Sequence, residues 1–338
     1  MTRLKAALQI AIIFLLAVFA GGARAQEHKL TFSIPTPPSA YMLPFYVAKD
    51  LGWYAKWGLA VEEVTVQGDP NALRLLIAGD VDLTCIGPST IMEAVVKGAN
   101  IKMISSWQPI TDYQIVIRND KGSAIKDMVG KAIGITSLGS MTQHIPQMVM
   151  RKHGLDASKN EFVPIGGMSA RAQAVIAGKV DASMVDTFFA AAAERQGGVK
   201  TIASIATEFP GLGYVNVATD VAKLANPKTR KALEILVRGG IEGSRFVQKE
   251  PAQAIEVAQA IEVMKKRMPA ADASLIAEII PKLNAQKVWG VNGGIERETV
   301  EFTAKTYNEL AVLPSKPTYE QLDEPSLVEA VLKEIGRM

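Results

Sequence analysis

Two short segments of the chain, 99 residues apart, carry the same pattern. Residues 76–87 read LIAGDVDLTCIG and residues 175–186 read VIAGKVDASMVD. Each is typical of a helix that ends at a glycine, followed by a turn and a short buried strand. A chain that carries this unit twice is constrained to build two similar α/β halves. The residues that recur are Ile77/Ile176, Ala78/Ala177, Gly79/Gly178, Val81/Val180 and Asp82/Asp181.

The segments around the two copies follow the same order of strands and helices. The first half, which we name lobe one, has the strand patterns LTFSIP and VEEVTV before its repeated unit. The second half, lobe two, has the strand patterns KAIGIT and EFVPI before its own copy. Alternating β and α units of this length predict a mostly parallel sheet with helices on both faces, built once in each lobe.

Two extended stretches rich in β-branched residues connect the halves. YQIVIRND (Tyr113–Asp120) lies between the copies, and LGYVNVATD (Leu212–Asp220) follows the second copy. We interpret both as crossings between the lobes, which together form a hinge. From Asn226 onward the pattern is helical, and two crossings return this helical tail to lobe one. The predicted division is residues 26–115 plus 217–338 for lobe one and residues 116–216 for lobe two.

The first 25 residues have the layout of a secretory signal peptide. A positively charged start precedes an apolar run over residues 8–20, and Ala23-Arg24-Ala25 offers a cleavage point before Gln26. The apolar run is too short to span a membrane, so we expect cleavage after Ala25 and export to the periplasm. The exported chain has one cysteine, Cys85, which excludes an internal disulfide and fits a buried strand.

The charge balance argues against a nucleic-acid partner. The whole chain has 37 Lys and Arg against 34 Asp and Glu. The predicted leader contributes three basic residues and no acidic ones, which leaves 34 of each sign in the mature chain. A balanced chain has no overall electrostatic attraction to DNA, RNA or an anionic membrane.

Ligands of open α/β sheets bind outside the carboxyl ends of the strands, where helices begin. Two facing lobes would present two such edges to one cleft, so the residues just after each strand are the candidate ligand contacts. Tyr41, Trp107 and Tyr214 would supply flat apolar walls. The candidates are Ser39, Ala40, Tyr41, Gly87, Pro88, Ser89, Trp107, Gln108, Ser137, Gly139, Ser140, Met141, Thr142, Asp186 and Tyr214.

Two of these loops have the composition of an anion site. GPST (residues 87–90) and SLGSMT (residues 137–142) each place backbone N–H groups and hydroxyls at a predicted helix start, one in each lobe. An anion held by both loops would favour a closed cleft. The alternative is that Ser89 and Ser140 only cap their helices. Asp186 likewise could accept a hydrogen bond from a ligand amine or hydroxyl, or cap the helix that starts at Thr187.

An enzyme is the competing class of protein. The chain has three His, and we interpret His144, one turn into a helix, as a solvated residue rather than a general base. The motifs HExxH, GxSxG, the P-loop and a GxGxxG after a strand do not occur in the sequence. Cys and His are too few for a structural zinc site. We therefore expect a binding protein without a cofactor or metal.

The lobe-one segment AKDLGWYAKWGLAVEEVTVQG and the following LIAGDVDLTCIGPS resemble the substrate-binding proteins of ABC importers for nitrate, sulfonate and taurine, a set that includes thiamine-pyrimidine-binder-like proteins. GKAIGITSLGSMT and VIAGKVDASMVD resemble lobe two of that family, and YEQLDEPSLVEAVLKEIG its C-terminal end. Where sulfonate binders often carry a Trp-x-Pro-like segment after the lobe-two strand, this chain reads VDTFF, a departure that argues against sulfonate or taurine as the specific ligand.

The resemblance implies a periplasmic, type II-like Venus-flytrap protein that closes on one small molecule. Its expected partners are a permease in the inner membrane, with a separate ATPase, and we expect a monomer. The family's ligand contacts map onto Ser39–Tyr41, Gly87–Ser89, Ser137–Thr142 and Asp186. Apolar walls with an anion-binding rim favour a small organic anion, aromatic or sulfonate-like. The alternatives are a pyrimidine or thiamine-precursor binder, an enzyme of the same fold, and a ligand sensor for a partner receptor.

Overall fold

The computed structural model describes residues 28–36, 39–249, 254–268 and 272–338. The predicted leader, residues 1–25, lies outside these ranges. Within them, no helix combines the length and the apolar character that crossing a bilayer requires. The strands are β1 (His28–Ile34), β2 (Leu59–Thr65), β3 (Leu83–Ile86), β4 (Ile101–Ser105), β5 (Gln114–Arg118), β6 (Ala132–Ile135), β7 (Glu161–Pro164), β8 (Ala182–Val185), β9 (Val199–Ser204) and β10 (Asn216–Asp220).

Helices occupy most of the connections between strands and most of the described part of the C-terminal tail. Three further single turns of 3₁₀ helix span Ala40–Met42, Ile125–Met128 and Ala157–Lys159. The α-helices are α1 (Leu43–Asp50), α2 (Trp53–Lys56), α3 (Asp69–Ala78), α4 (Pro88–Val96), α5 (Met141–Lys152), α6 (Met168–Ile176), α7 (Thr187–Gln196), α8 (Ile205–Glu208), α9 (Val221–Ala225), α10 (Pro227–Gln248), α11 (Ala254–Arg267), α12 (Ala273–Ala285), α13 (Arg297–Glu309), α14 (Tyr319–Leu322) and α15 (Ser326–Ile335).

The strands form two five-stranded sheets, one in each lobe, which confirms the predicted two-lobed α/β fold. The orders are β2-β1-β3-β10-β4 and β7-β6-β8-β5-β9. In each sheet the first three strands of the order pair in parallel, whereas the fourth, β10 or β5, runs antiparallel to both neighbours. These two strands enter from the cleft, because each arrives directly from the other lobe. They therefore begin at the cleft edge of their sheets, whereas the other strands end there.

The chain passes between the lobes through residues 106–113 and 209–215, directly before β5 and β10. The two segments pair with each other, since the N–H of Tyr214 donates to the carbonyl of Pro109 at 3.2 Å and the N–H of Thr111 donates to that of Leu212 at 3.2 Å. The ranges predicted for the hinge begin in these segments and continue into the strands. The division predicted from the sequence falls one or two residues inside the same strands.

The repeated aspartates have the same structural role in both lobes. Asp82 accepts the N–H of Thr31 at the start of its sheet at 2.8 Å, and Asp181 accepts the N–H of Ala132 at 3.1 Å. A lysine pairs with the second oxygen of each carboxylate, at 2.8 Å from Lys223 in lobe one and 3.2 Å from Lys121 in lobe two. The repeat therefore encodes how the strand after the helix attaches to β1 in lobe one and to β6 in lobe two.

The C-terminal tail packs on lobe one, led by α10, which lies against α1 and β1. Three buried glycines on α10 permit this close approach. A Cβ at Gly239, Gly240 or Gly243 would overlap Tyr54, Trp107 or the carbonyl of Pro44, respectively. The helix α12 of the tail also contacts α7 of lobe two, so the tail lies across the outside of the cleft.

Candidate functional site

A cavity of about 20 Å³ lies between the lobes at the carboxyl ends of the strands. This volume holds about one water molecule, so a larger ligand needs the lobes to separate before it enters. Both lobes and both crossing segments contribute to the wall. The lining residues are Pro35, Thr36, Tyr41, Asp69, Cys85, Ile86, Gly87, Tyr113, Thr136, Ser140, Met141, Thr142, Met168 and Val215.

Five residues that the sequence singled out line this cavity: Tyr41, Gly87, Ser140, Met141 and Thr142. The hydroxyl of Ser140 donates to the carbonyl of Ser137 at 2.7 Å and lies 2.7 Å from the hydroxyl of Thr142. It does not bond the helix N–H groups, so Ser140 is not a side-chain cap of α5. These hydroxyls shape the start of α5 at the cavity wall.

Asp69 occupies the position at which the sequence predicts an anion between the lobes. The N–H of Gly87, before α4, donates to its Oδ2 at 3.3 Å, and the first N–H of α5, on Met141, bonds the same carboxyl. Burial raises the pKa of Asp69 to about 6 in spite of these bonds. The two helix starts that face each other are thus bridged by a carboxylate of the protein itself.

Arg171 is a fully buried cation beside the cavity, and the sequence did not predict it as a ligand contact. It lies on α6, and its Nε donates to the carbonyl of Met184 at 3.1 Å. Its Nη1 donates to the hydroxyl of Thr136 at 2.6 Å, and Nη2 has no hydrogen-bond partner in the described part of the chain. Burial lowers the pKa of Arg171, but a guanidinium remains charged at neutral pH.

Asp186 and Asp112 form a pair of buried carboxyls at the lobe-two side of the hinge. Oδ1 of Asp186 accepts the N–H of Phe189 at 2.8 Å and caps α7, which was one of its two predicted roles. Its Oδ2 is buried without a hydrogen-bond partner among the described residues. Asp112 is bonded at both oxygens, by Gln108 at 2.8 Å and by the N–H of Thr187 at 3.2 Å. Burial raises the pKa of both carboxyls, and the pKa of Asp186 rises further because Asp112 is close.

Three tyrosines form the apolar side of the site. The ring of Tyr214 lies 5.6 Å from that of Tyr41 and 4.7 Å from that of Tyr113, both in edge-on geometry. Tyr41 and Tyr113 line the cavity, and Tyr214 lies behind them. The flat wall expected from Tyr41 and Tyr214 is therefore completed by Tyr113, which the sequence had placed only at the hinge.

Two predicted contacts lie elsewhere in lobe one. Trp107 does not line the cavity but stacks on Phe45 with ring centroids 5.1 Å apart, inside the core. Its large apolar surface is buried between β1 and the tail, because Gly240 of α10 leaves room for the indole. Gln108 is also buried, and it reaches the site only through its bond to Asp112.

The remaining predicted residues lie at the contact between the lobes. Ser89 faces His144 across it, with Oγ and Nδ1 3.2 Å apart, so Ser89 is not a helix cap and His144 is not a solvated residue. Burial lowers the pKa of His144, which makes it a neutral hydrogen-bonding group at this interface. Ser137 lies against Gly68, and Gly139 approaches Pro70. Ser39 and Ala40 are buried beside Tyr41, and Pro88 is buried beside Gly87. None of these three residues lines the cavity.

The cavity wall contains a thiol, hydroxyls and one carboxyl. The thiol is that of Cys85, and burial raises its pKa so that it stays protonated. Within the described ranges, no group of His, Cys, Asp and Glu side chains is placed to hold a metal ion. The site offers a set of buried hydrogen-bonding groups, charges and aromatic rings between the two lobes.

The internal repeat could have revealed the residues that sequence reasoning missed. At the same offset of 99, Arg171 replaces the buried Ala72, Asp69 corresponds to Met168, and Asp186 corresponds to Gly87. The positions that preserve the fold are identical or apolar in both copies. Of the positions that carry charge in only one copy, Asp69, Arg171 and Asp186 lie at or near the cleft, whereas Arg74, opposite Gln173, is exposed and bonds Asn71.

The family to which the chain belongs follows from its sequence. A family model described as NMT1/THI5 like matches residues 39–254, most of the chain. The chain belongs to the NMT1/THI5-like family. This confirms the predicted resemblance. No curated protein sequence matches the chain.

Solved structures similar to this NMT1/THI5-like protein share its fold at low sequence identity. A protein of Bordetella bronchiseptica RB50 is 18% identical with a TM-score of 0.77, covering 92% of this chain and 99% of its own. The periplasmic nitrate-binding protein NrtA of Synechocystis PCC 6803 is 12% identical with a TM-score of 0.73, over 93% and 90% of the chains. The periplasmic aliphatic sulphonate binding protein SsuA of Escherichia coli is 17% identical with a TM-score of 0.65, over 88% and 92%. All three support the periplasmic binding protein fold.

Proposed function

We propose that this protein is the extracytoplasmic solute-binding component of an ABC importer. It would capture a small organic solute between its lobes in the periplasm, close on it by rotation at the hinge, and present the closed surface to a membrane permease driven by a separate ATPase. In this proposal the protein performs no catalysis. The similar structures from Synechocystis and Escherichia coli are binding proteins for nitrate and for aliphatic sulphonates.

One observation carries the proposal. Two buried groups are left unpaired near the carboxyl ends of the lobe-two strands: Nη2 of Arg171, whose Nη1 bonds the cavity residue Thr136, and Oδ2 of Asp186, which directly follows β8. Burying such groups without partners costs free energy, and a solute that bonds them would recover it. The anionic group that the sequence favours would be held by Arg171, because Asp69 already occupies the two helix starts.

The test measures solute binding to the purified mature protein. Binding is detected as a change in melting temperature and, by small-angle X-ray scattering, as a change in the radius of gyration. A screen of small organic acids, amines and pyrimidines should yield a solute that raises the melting temperature with concentration and reduces the radius of gyration. Arg171→Gln should abolish the response. The proposal fails if no compound binds and protein isolated from the periplasm releases no small molecule on denaturation.

A ligand sensor with the same fold is the second candidate, and the same cleft would serve it. The partner distinguishes the two functions. Association of the closed, loaded protein with a permease supports transport, whereas association with a receptor kinase supports sensing.

A further inference from the structure

A histidine of lobe two and a serine of lobe one meet where the lobes touch. His144 lies one turn into α5, and Ser89 is the second residue of α4. Nδ1 of His144 and Oγ of Ser89 are 3.2 Å apart, and the two helices pack against each other. Because the two residues belong to different lobes, opening of the hinge breaks this hydrogen bond. We name the pair the closing contact.

The lobe-one side of the closing contact is shielded from water. Ser89, Thr90 and Tyr307 of α13 are buried there, and the ring of Tyr307 lies next to Ser89. His144 itself is half-buried in the closed structure. A charged imidazolium at this position would lose water on closure, and the hydroxyls that face it carry no charge to replace that hydration. Closure therefore favours the neutral imidazole.

The charged groups around His144 do not remove this preference. The carboxylate of Glu93 on α4 favours a protonated imidazole, but it already pairs with Lys97 at 2.6 Å. Arg151, on the same helix as His144, opposes protonation. Burial is the largest cause, and together these groups lower the pKa of His144 below the ordinary value of 6.5.

The other elements near the closing contact do not act on His144 in the same way. The 3₁₀ turns Ile125–Met128 and Ala157–Lys159 also pack against α5, and no charged side chain of either turn shifts the pKa of His144. Asp69 of α3, which bonds the start of α5, titrates in the opposite direction, because burial raises its pKa to about 6. A comparison between the native protein and a variant at position 144 cancels this contribution, since Asp69 is present in both.

We propose that the closing contact is a pH-sensitive device, in which neutral His144 holds α5 against Ser89 and protonated His144 releases lobe two. The open state binds the proton more readily, because its imidazole is hydrated. Closure is therefore fully favoured above about pH 7 and weakens as the pH falls through 6.5. This inference rests on the hinge closure of the proposed function, and it does not depend on which solute is bound.

The test follows the ligand-free mature protein between pH 5.5 and pH 8 by small-angle X-ray scattering and by NMR titration of the histidines. His144→Gln keeps a hydrogen-bonding amide that does not titrate, and the loss of its signals assigns those of His144. We expect acidification to open the native protein more than the variant. The ratio of closed to open protein should fall by up to about tenfold relative to the variant at pH 5.5, the limit for a group whose open-state pKa is 6.5. The NMR signals of His144 should titrate below pH 6.5.

His153→Gln is the matched control. His153 directly follows α5, is exposed, and its Nε2 lies 3.0 Å from Glu208 within lobe two. This variant should keep the pH response of the native protein. Ser89→Ala removes the partner of His144 instead, so it should open the protein at pH 8 and return the pKa of His144 toward 6.5. Circular dichroism and the melting temperature confirm that each variant is folded.

The outcomes separate this inference from the proposed function. The inference is overturned if the native protein and His144→Gln show the same change of radius of gyration with pH, or if His144 titrates at or above pH 6.5. Either result leaves solute binding standing, because the solute screen tests it independently. If neither pH nor any solute of that screen changes the radius of gyration, hinge closure itself is refuted, and both proposals fail.

Discussion

At the scale of single residues, the repeated aspartates act as attachments between strands. We expect Asp82→Ala and Asp181→Ala each to lower the free energy of unfolding by about 1–3 kcal/mol, because each leaves a strand N–H without its acceptor. Urea denaturation measures the change. Asp80→Ala, in the same turn but exposed, should change it by less than about 0.5 kcal/mol. Equal effects at positions 80 and 82 would contradict the assigned role.

A second residue-scale prediction concerns Asp323. It is buried next to β4, neither carboxylate oxygen has a hydrogen-bond partner among the described residues, and burial raises its pKa to about 8 although Lys102 and Arg297 act against this rise. Its folded-state pKa lies above the ordinary value of 3.8, so its contribution to stability is complete below about pH 4 and is lost as the pH rises through about 8.

Asp323→Asn should therefore stabilise the protein increasingly as the pH rises from 4 to 8, by roughly 1–3 kcal/mol at the upper end. Urea midpoints at pH 5, 7 and 8.5 test this. A difference between variant and native protein that stays constant across these pH values would show that the carboxyl is not the titrating group.

At the scale of elements, the helix α10 needs glycines for its close contacts, although glycine has a low intrinsic helix propensity. Gly243→Ala gains about 1 kcal/mol of intrinsic helix propensity. The added Cβ would overlap the carbonyl of Pro44, which belongs to backbone and cannot rotate away. We expect a net loss of about 1–3 kcal/mol, the cost typical of overpacking.

Thermal or urea unfolding checks this expectation, with Lys231→Ala on the exposed face of the same helix as the control. The control should change stability by less than about 0.5 kcal/mol. If Gly243→Ala proved as stable as the native protein, α10 would not be in close contact with α1.

At the scale of the whole molecule, contacts outside the cleft hold the lobes closed. Arg195 on α7 pairs with Glu278 of the tail and lies 3.5 Å from Asp272. Arg151 on α5 donates to the carbonyls of Leu310 and Ala311. The groups are partly exposed, so each contact contributes up to about 1 kcal/mol to closure.

Arg195→Ala and Arg151→Ala should increase the radius of gyration of the ligand-free protein and weaken ligand binding by about two- to fivefold, since the closed population falls. Small-angle scattering and titration measure both effects. Arg297→Ala, which breaks ion pairs with Glu301 and Glu320 inside lobe one, should change neither. If only the control Arg297→Ala changed the radius of gyration, the contacts that keep the lobes closed would lie elsewhere.

Much of the architecture follows from local sequence, because hydrophobic periodicity and glycine placement report on each element separately. The repeat at offset 99 predicted two α/β lobes, and α3 with β3 and α6 with β8 are placed at that offset. The direction of β5 and β10 was not predictable in this way, since it depends on which lobe each strand joins. Trp107 was misplaced for a related reason: its position after a strand suggested a cleft wall, but the tail covers it.

The sequence by itself determined that the chain builds one α/β unit twice, with a loop edge at the end of each sheet. Those features depend on neighbours within about a dozen residues. Only the tertiary structure decided which charges meet at the cleft, because Asp69, Asp112, Arg171 and Asp186 come from four separate elements that the hinge brings together. The unpaired Nη2 of Arg171 and Oδ2 of Asp186 result from burial in the folded molecule, and no local sequence pattern reports that environment.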